Sequence, residues 1–229
     1  MQLAPDSVFA LAPLQRLLDD EWSLAMQRAE RLAGGPLLSI APCVSASRSL
    51  PASRPGSCSL HVAGNALSGA ASCGPAQLPW PAASFDLVIV RHALDALPAE
   101  CGLEAELVRV LAPGGHLLLS GFNRFSPWRL WMAGRAEPGR PVPRSAGIAQ
   151  AADVLQARGL DVIGRDFLGG HWPRAAAHAH VRSSRWQAAW LLSARRQAVA
   201  MRVIPIAAAR SRAQGVAALV PSSSGRQRA

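Results

Sequence analysis

Two apolar runs decide the fold of this 229-residue chain: FDLVIV at residues 85–90 and HLLLS at residues 116–120. Both consist mainly of aliphatic residues, which is typical of strands covered on both faces of a sheet. Between them, residues 98–111 alternate leucine and valine with glutamate at helical spacing, and Pro113-Gly114-Gly115 ends that predicted helix. A strand, a helix, a glycine turn and a second strand indicate a βαβ unit in a parallel sheet.

Further elements are predicted on both sides of this unit. Apolar residues at steps of three and four predict a helix before Gly34-Gly35, and short apolar runs bounded by glycine and proline predict strands. Segments rich in serine, proline and glycine are predicted to be loops. The helices are expected at 10–33 and 145–158, the strands at 36–41, 59–62, 160–167 and 186–194, and the loops at 42–57 and 63–77.

The net charge of +10 belongs to the C-terminal end of the chain. Residues 1–166 contain 14 arginines and 14 acidic residues, whereas residues 167–229 contain 10 arginines and no acid. Such an end could bind nucleic-acid phosphates, but it contains no nucleic-acid-binding motif. We therefore expect a solvated basic tail, disordered over 197–229, and leave nucleic acid as a partner without motif support.

Several classes of protein are excluded by composition. No apolar run is long enough for a transmembrane helix, and Met1 to Asp6 do not resemble a secretory signal. The four cysteines are widely spaced, which argues against a zinc site or a disulfide framework and favours the reducing cytoplasm; no metal site is predicted. The absence of lysine beside abundant alanine, arginine and glycine indicates a GC-rich bacterial genome.

Three ordered motifs identify a family. They are LPWPAASFDLV at residues 78–88, His92-Ala93-Leu94, and ELVRVLAPGG at residues 106–115. In order and spacing they resemble the class I S-adenosylmethionine (SAM)-dependent methyltransferases of the type 11 group. The Gly121-Phe122-Asn123 run after the next strand is similar to a bacterial subgroup that also ends in a basic tail.

The resemblance implies an α/β fold: a seven-stranded, mostly parallel, Rossmann-like sheet with helices on both faces. It would occupy residues 35–196, after an N-terminal helical segment over 1–34 and before the tail. SAM would lie at the carboxyl ends of the first strands, where open α/β sheets form their ligand crevice. The implied function is methyl transfer from SAM to an unknown small molecule, in the cytoplasm.

Candidate site residues follow from the positions that match the family. His92 is the candidate general base, because a neutral imidazole can accept a proton from a substrate hydroxyl or amine. Asn123 and Arg124 are candidate substrate contacts after the predicted strand at 116–120. A helix-capping histidine and a turn asparagine are the alternative interpretations. The candidate cofactor-binding residues are Ala41, Cys43, Gly74, Leu78, Trp80, Arg91 and His92.

The sequence also departs from the family at its cofactor positions. The three glycines of the family's first loop fall on Ala41, Cys43 and Ser45, and Gly74 replaces the aspartate that would lie near the adenine. No Asp or Glu occurs between Arg31 and Phe85. The chain would therefore bind SAM through altered contacts, weakly, or not at all. Two alternative functions stay open: a catalytically inactive, methyltransferase-like binding or scaffold protein, and nucleic-acid binding through the arginine-rich C-terminus.

Overall fold

A computed structural model describes residues 8–32, 34–135, 142–173 and 186–198. Seven strands form one sheet: β1 (Leu37–Ala41), β2 (Cys58–Ala63), β3 (Ala66–Gly69), β4 (Phe85–Arg91), β5 (Leu111–Phe122), β6 (Leu160–Leu168) and β7 (Ala189–Arg196). In this described part of the chain, five α-helices accompany them: α1 (Ala12–Glu30), α2 (Ala93–Ala96), α3 (Leu103–Val110), α4 (Trp128–Ala133) and α5 (Ile148–Ala157). The rest of the predicted basic tail, from residue 199 onward, lies outside the described residues.

The strands are arranged in the order β3-β2-β1-β4-β5-β7-β6. Strands β1, β2, β4, β5 and β6 run in one direction, and β3 and β7 run against them. The predicted seven-stranded α/β sheet is therefore confirmed. "Mostly parallel" holds for the strand directions but not for the pairings, because β3 and β7 make three of the six pairings antiparallel.

The segment at residues 63–77 was predicted to be a loop, and this is wrong for its first part. Ala63 of β2 pairs with Ala66 of β3 across a tight turn, in which Gly64 adopts a φ of +64°. The resulting hairpin joins β2 directly to an antiparallel neighbour. The strand β3 consists of Ala, Leu, Ser and Gly. It contains no β-branched residue and is too short to show an alternating pattern, so the sequence does not predict a strand here.

Helices cover both faces of the sheet, as the resemblance implies. On one face, α3 and α5 bury Leu107 and Leu155 against the sheet in one apolar core. On the other face, α1 buries Leu14 and Leu18 in a second core. The connection from β1 to β2 contains only a 3₁₀ turn (Val44–Ala46), although parallel strands are usually joined by an α-helix. Helix α1, from the start of the chain, therefore provides cover for that face.

The predicted helix at 98–111 is shorter in the structure. Helix α3 begins only at Leu103, because Gly102 before it has a left-handed φ of +76° that turns the chain into the helix. Helix α5 is likewise shorter than the predicted range 145–158. Within the described ranges, no helix is both long and apolar enough to span a membrane.

The packing of β5 on β7 yields a stability prediction. A Cβ atom on Gly121 would lie 2.5 Å from Cζ2 of Trp190, whose indole N–H is held by the carbonyls of Phe122 and Ala146. Because this ring cannot move without losing those bonds, Gly121→Ala should lower the free energy of unfolding by about 1–3 kcal/mol in urea titrations. Gly134→Ala is the matched control: the atom nearest to its Cβ is 3.7 Å away, and its φ is −72°. A loss of equal size in the control would contradict the steric explanation.

Candidate functional site at the carboxyl edge of the sheet

The carboxyl edge is the edge at which β1, β2, β4 and β5 end, at Ala41, Ala63, Arg91 and Phe122. These four strands are parallel, so their ends meet on the same side of the sheet. Ligands of open α/β sheets bind outside such an edge, where neighbouring loops diverge. The residues that follow these strands are therefore the ones whose contacts matter for function.

His92 follows β4 directly and lies at the centre of a buried charge cluster. Its ring is fully buried, with Nε2 2.8 Å from Oε1 of Glu21 and Nδ1 2.8 Å from Oδ2 of Asp95. Burial by itself lowers the pKa of His92, but the two carboxylates outweigh it and raise the pKa to about 9. Burial raises the pKa of Asp95, against the hydrogen bond from His92. At neutral pH His92 is thus an imidazolium that donates to both carboxylates.

The same two carboxylates also accept hydrogen bonds from residues of β5. Oε2 of Glu21 accepts a hydrogen bond from the Ser120 hydroxyl at 2.9 Å, and Oδ2 of Asp95 accepts one from the backbone N–H of Phe122 at 2.8 Å. The cluster therefore connects α1, the end of β4 and the end of β5. With both ring nitrogens bonded and no exposed surface, His92 does not face a substrate here, and this geometry favours a structural role over the predicted general base.

Arg91, the last residue of β4, is also buried. Its Nη1 donates to the carbonyl of Leu18 at 3.0 Å and its Nη2 to the carbonyl of Ala46 at 2.6 Å, while the guanidinium lies 4.8 Å from the Trp22 ring centroid. Burial lowers the pKa of Arg91 to about 10, so it stays charged at neutral pH. Arg91 holds the loop after β1 against α1, and its burial leaves almost no exposed surface for a ligand outside the edge.

The two predicted cofactor positions at the end of β1 and just after it differ in exposure. Ala41 is fully buried in the core shared with α1. Its side chain packs in that core, so only its backbone could contact a ligand. Cys43 is half-buried, and its Sγ lies 3.2 Å from the Ser45 hydroxyl. Cys43 and Ser45 therefore place polar side chains at the start of this loop, near the edge.

Three predicted cofactor residues lie on the loop before β4, and the structure separates them. Leu78 is buried, and its backbone N–H donates to Glu106 of α3. Trp80 packs edge-on against Phe85, with ring centroids 5.3 Å apart. Phe85 begins β4 and Arg91 ends it, so Trp80 lies about 20 Å from the carboxyl edge. Its assignment to the cofactor site is corrected: Trp80 packs at the opposite edge.

Gly74 has a different environment. The preceding Cys73 exchanges backbone hydrogen bonds with Leu67 of β3, which is paired with Val62 near the end of β2. This places Gly74 near the carboxyl edge. Gly74 is exposed, and no heavy atom lies within 4 Å of the position that a Cβ would occupy. The surface beside Gly74 is therefore open.

The two candidate substrate residues after β5 play different parts. Asn123 is buried; its amide nitrogen donates to the carbonyl of Gln187, and its amide oxygen accepts from the backbone N–H of Phe125. These bonds fix the turn and leave the amide of Asn123 no exposed surface for a substrate. Arg124 is exposed and lines a cleft of about 410 Å³. The structure thus brings Arg124, but not Asn123, to a position where a ligand could contact it.

The cleft beside Arg124 contains residues that the sequence analysis did not single out. It is lined by Arg124, Arg129, Val142, Pro143, Arg144, Ser145, Ala146 and Gln150. Arg129 and Arg144 do not belong to any of the family motifs. Because all 24 basic side chains of the chain other than histidine are arginine, residue type did not distinguish these two as binding residues. Within the described ranges, no group of His, Cys, Asp and Glu residues is arranged to hold a metal ion.

Comparisons with known proteins agree with the fold and the motifs. A family model described as a methyltransferase domain matches residues 58–119. A curated protein of Mycolicibacterium smegmatis, named a probable S-adenosylmethionine-dependent methyltransferase, is 36% identical over 97 residues, which cover 41% of this chain and 35% of the relative. This chain thus matches only about a third of that relative's length.

Solved structures share the fold at low sequence identity. A SAM-dependent methyltransferase of Thermotoga maritima, described as a possible histamine N-methyltransferase, superposes with a TM-score of 0.54 at 12% identity, covering 83% of this chain and 94% of the other. A protein of Bacillus halodurans assigned to the methyltransferases gives a TM-score of 0.50 at 15% identity, covering 79% of this chain and 98% of the other. These likenesses support the fold.

The charge cluster predicts how stability depends on pH. The folded pKa of His92, about 9, lies above the unfolded value of 6.5, so the folded state binds more protons between these values. Its stabilising contribution is complete below about pH 6.5 and is lost as the pH rises through 9, by on the order of 3 kcal/mol. Urea unfolding at intervals from pH 6.5 to 9.5 measures this loss. His92→Asn should be less stable at pH 6.5 and should lack the loss of stability that is centred near pH 9; an equal loss around pH 9 in the variant would assign it to other groups.

Proposed function

We infer, from the membership of this chain in the class I methyltransferases of the type 11 group, that it transfers a methyl group from SAM to a small-molecule acceptor. One observation carries this proposal. The motif residues 78–120 build β4, α3 and β5 at the centre of a seven-stranded sheet whose carboxyl edge is the ligand edge of an α/β fold. The motifs and the ligand edge therefore belong to one structural unit.

The carboxyl edge fits SAM in part. The loop after β1 offers backbone groups together with Cys43 and Ser45, and the surface is open beside Gly74, where the resemblance would place the adenine. Neither β2 nor the chain from its end at Ala63 to Phe85 contains an acidic residue, so this segment offers the ribose hydroxyls no carboxylate acceptor. These residues favour binding through shape and backbone contacts, at reduced affinity.

Methyl transfer makes few demands on protein side chains. When SAM is bound, its sulfonium supplies an electrophilic methyl group, and the reaction is an in-line displacement that depends mainly on how the two reactants are positioned. The cluster of Glu21, His92 and Asp95 contributes by holding the ends of β4 and β5 rigidly against α1. This assigns the described residues a positioning role and requires no general base.

Cofactor binding is the direct test of the proposal. In calorimetric titrations of the full chain with SAM and S-adenosylhomocysteine, we expect saturable binding with a Kd between about 0.01 and 1 mM, and a matching rise in Tm. Adenosine and methionine, titrated separately, serve as controls for non-specific effects. No heat and no change in Tm at several millimolar of either ligand would contradict the proposed function.

A substitution should restore the missing acid. Gly74→Asp places a carboxylate at the position where the family has one, in a space with no neighbouring atom within 4 Å. A charged hydrogen bond of ordinary strength should tighten SAM binding about tenfold. Gly34→Asp is the matched control, since it adds the same charge in equally open space at the amino end of β1. An equal gain in the control, or no gain at Gly74, would exclude adenosyl binding beside that residue.

The structure also supplies an observation in favour of a second candidate, a methyltransferase-like binding protein without catalysis. The loop after β1 has no glycine before Gly56, and its first part is fixed to α1 through Arg91, so the backbone of residues 42–46 cannot readily rearrange around a ligand. The cofactor titration separates the two candidates, since only the enzyme must bind SAM. Nucleic-acid binding by residues 167–229 and a cytoplasmic location stay predictions.

A further inference from the structure

The cleft lined by Arg124, Arg129 and Arg144, here called the arginine cleft, has the charge of a site for anions. Among the described residues, eight line the cleft, and they include three arginines and no acidic residue. Within the described part of the chain, none of the three guanidinium groups forms an ion pair. Three like charges around one cavity repel one another, and a bound anion would relieve this repulsion.

Each arginine is anchored on a different fixed element. Arg124 follows the buried Asn123, whose amide holds the turn after β5. Arg129 lies in the first turn of α4. The backbone N–H of Arg144 donates to the carbonyl of Asp95 at 2.8 Å, which connects it to the cluster after β4. The three side chains therefore extend from a rigid frame, which lowers the entropic cost of holding a ligand.

Two further groups suit an anion, one beside the cleft and one in its lining. Gly147 lies against Arg124, so that a Cβ there would meet Cδ of Arg124 at 3.4 Å, and it precedes α5, whose first turn has no side-chain cap. The amino end of this ten-residue helix carries a partial positive charge. The Ser145 hydroxyl is buried and has no hydrogen-bond partner among the described residues. The arrangement supplies guanidinium donors and a positive helix end in one place.

The arginine cleft also lies where an acceptor would be needed. Arg124 comes two residues after the end of β5, and Arg144 is bonded to Asp95 just beyond the end of β4, so the cleft borders the carboxyl edge. Its volume of about 410 Å³ is that of a small-molecule site. The three arginines converge on one cavity and are not spread along a stripe, which favours a small anion over a polymer.

We propose that the arginine cleft binds the acidic group, a phosphate or a carboxylate, of the methyl acceptor. Guanidinium groups bind both kinds of oxyanion through paired, charge-assisted hydrogen bonds. The proposal rests on the proposed function in one respect: the anion belongs to an acceptor only if the chain transfers methyl groups. It thereby narrows the acceptor to small acids.

Titrations with simple anions test the cleft by itself. The full chain is titrated with inorganic phosphate and, separately, with succinate, at constant ionic strength set with chloride and with calorimetric detection. We expect millimolar binding of at least one anion, weakened about tenfold by Arg124→Gln and by Arg144→Gln. Both side chains are exposed, so the variants should keep the wild-type Tm. The two titrations show which oxyanion the cleft prefers.

Arg158→Gln is the matched control, because it removes an exposed arginine at the other end of α5. The proposal is overturned if neither anion binds, or if Arg158→Gln weakens anion binding as much as the cleft variants do. It is also overturned if an RNA oligonucleotide binds through these arginines while phosphate and succinate do not. SAM titrations of the same variants separate the two claims. Anion binding without SAM binding would refute the proposed function and leave an anion site, whereas SAM binding without anion binding would refute the cleft alone.

Discussion

The buried imidazolium of His92 between the carboxylates of Glu21 and Asp95 is the interaction on which the carboxyl edge depends. It joins a helix at the start of the chain to two central strands, because Glu21 also accepts a hydrogen bond from the Ser120 hydroxyl and Asp95 also accepts one from the backbone N–H of Phe122. Removing one member of a buried charge group leaves the others uncompensated, at a cost of several kcal/mol. The end of β4, the end of β5 and α1 therefore hold together as a unit.

This unit explains how the loop after β1 is ordered although it is not glycine-rich. Glycine permits a loop to approach a ligand closely, and such a loop must be stabilised by contacts elsewhere. Here the loop after β1 is fixed by Arg91, whose guanidinium connects Ala46 to Leu18 on α1. A side chain from β4 thus orders the loop. The cost is reduced adaptability at the place where a cofactor would make its closest backbone contacts.

The sequence predicted the parts of this fold that rest on local pattern. Apolar runs located β1 and β4 closely, since a strand buried on both faces needs such a run. The short β3 was missed because its pairing is created by the turn at Gly64, not by its own residues. The hydrogen bond between His92 and Glu21 could not be predicted, because Glu21 is 71 positions away in the chain. Glu21 also lies in a helix whose sequence pattern indicates only which face is apolar. Trp80 was misplaced for a similar reason: a motif gives its position in the chain, not the edge it packs on.

Charge placement explains why the arginine cleft escaped the sequence analysis. Residues 1–166 carry equal numbers of arginines and acids, which suggests a neutral body. In the structure, three acids form ion pairs with arginines away from the cleft: Asp19 with Arg48, Glu106 with Arg109, and Asp166 with Arg28. Glu21 and Asp95 both pair with His92. Because these carboxylates are engaged elsewhere, a chain segment with no net charge can still present a locally positive cavity beside its ligand edge.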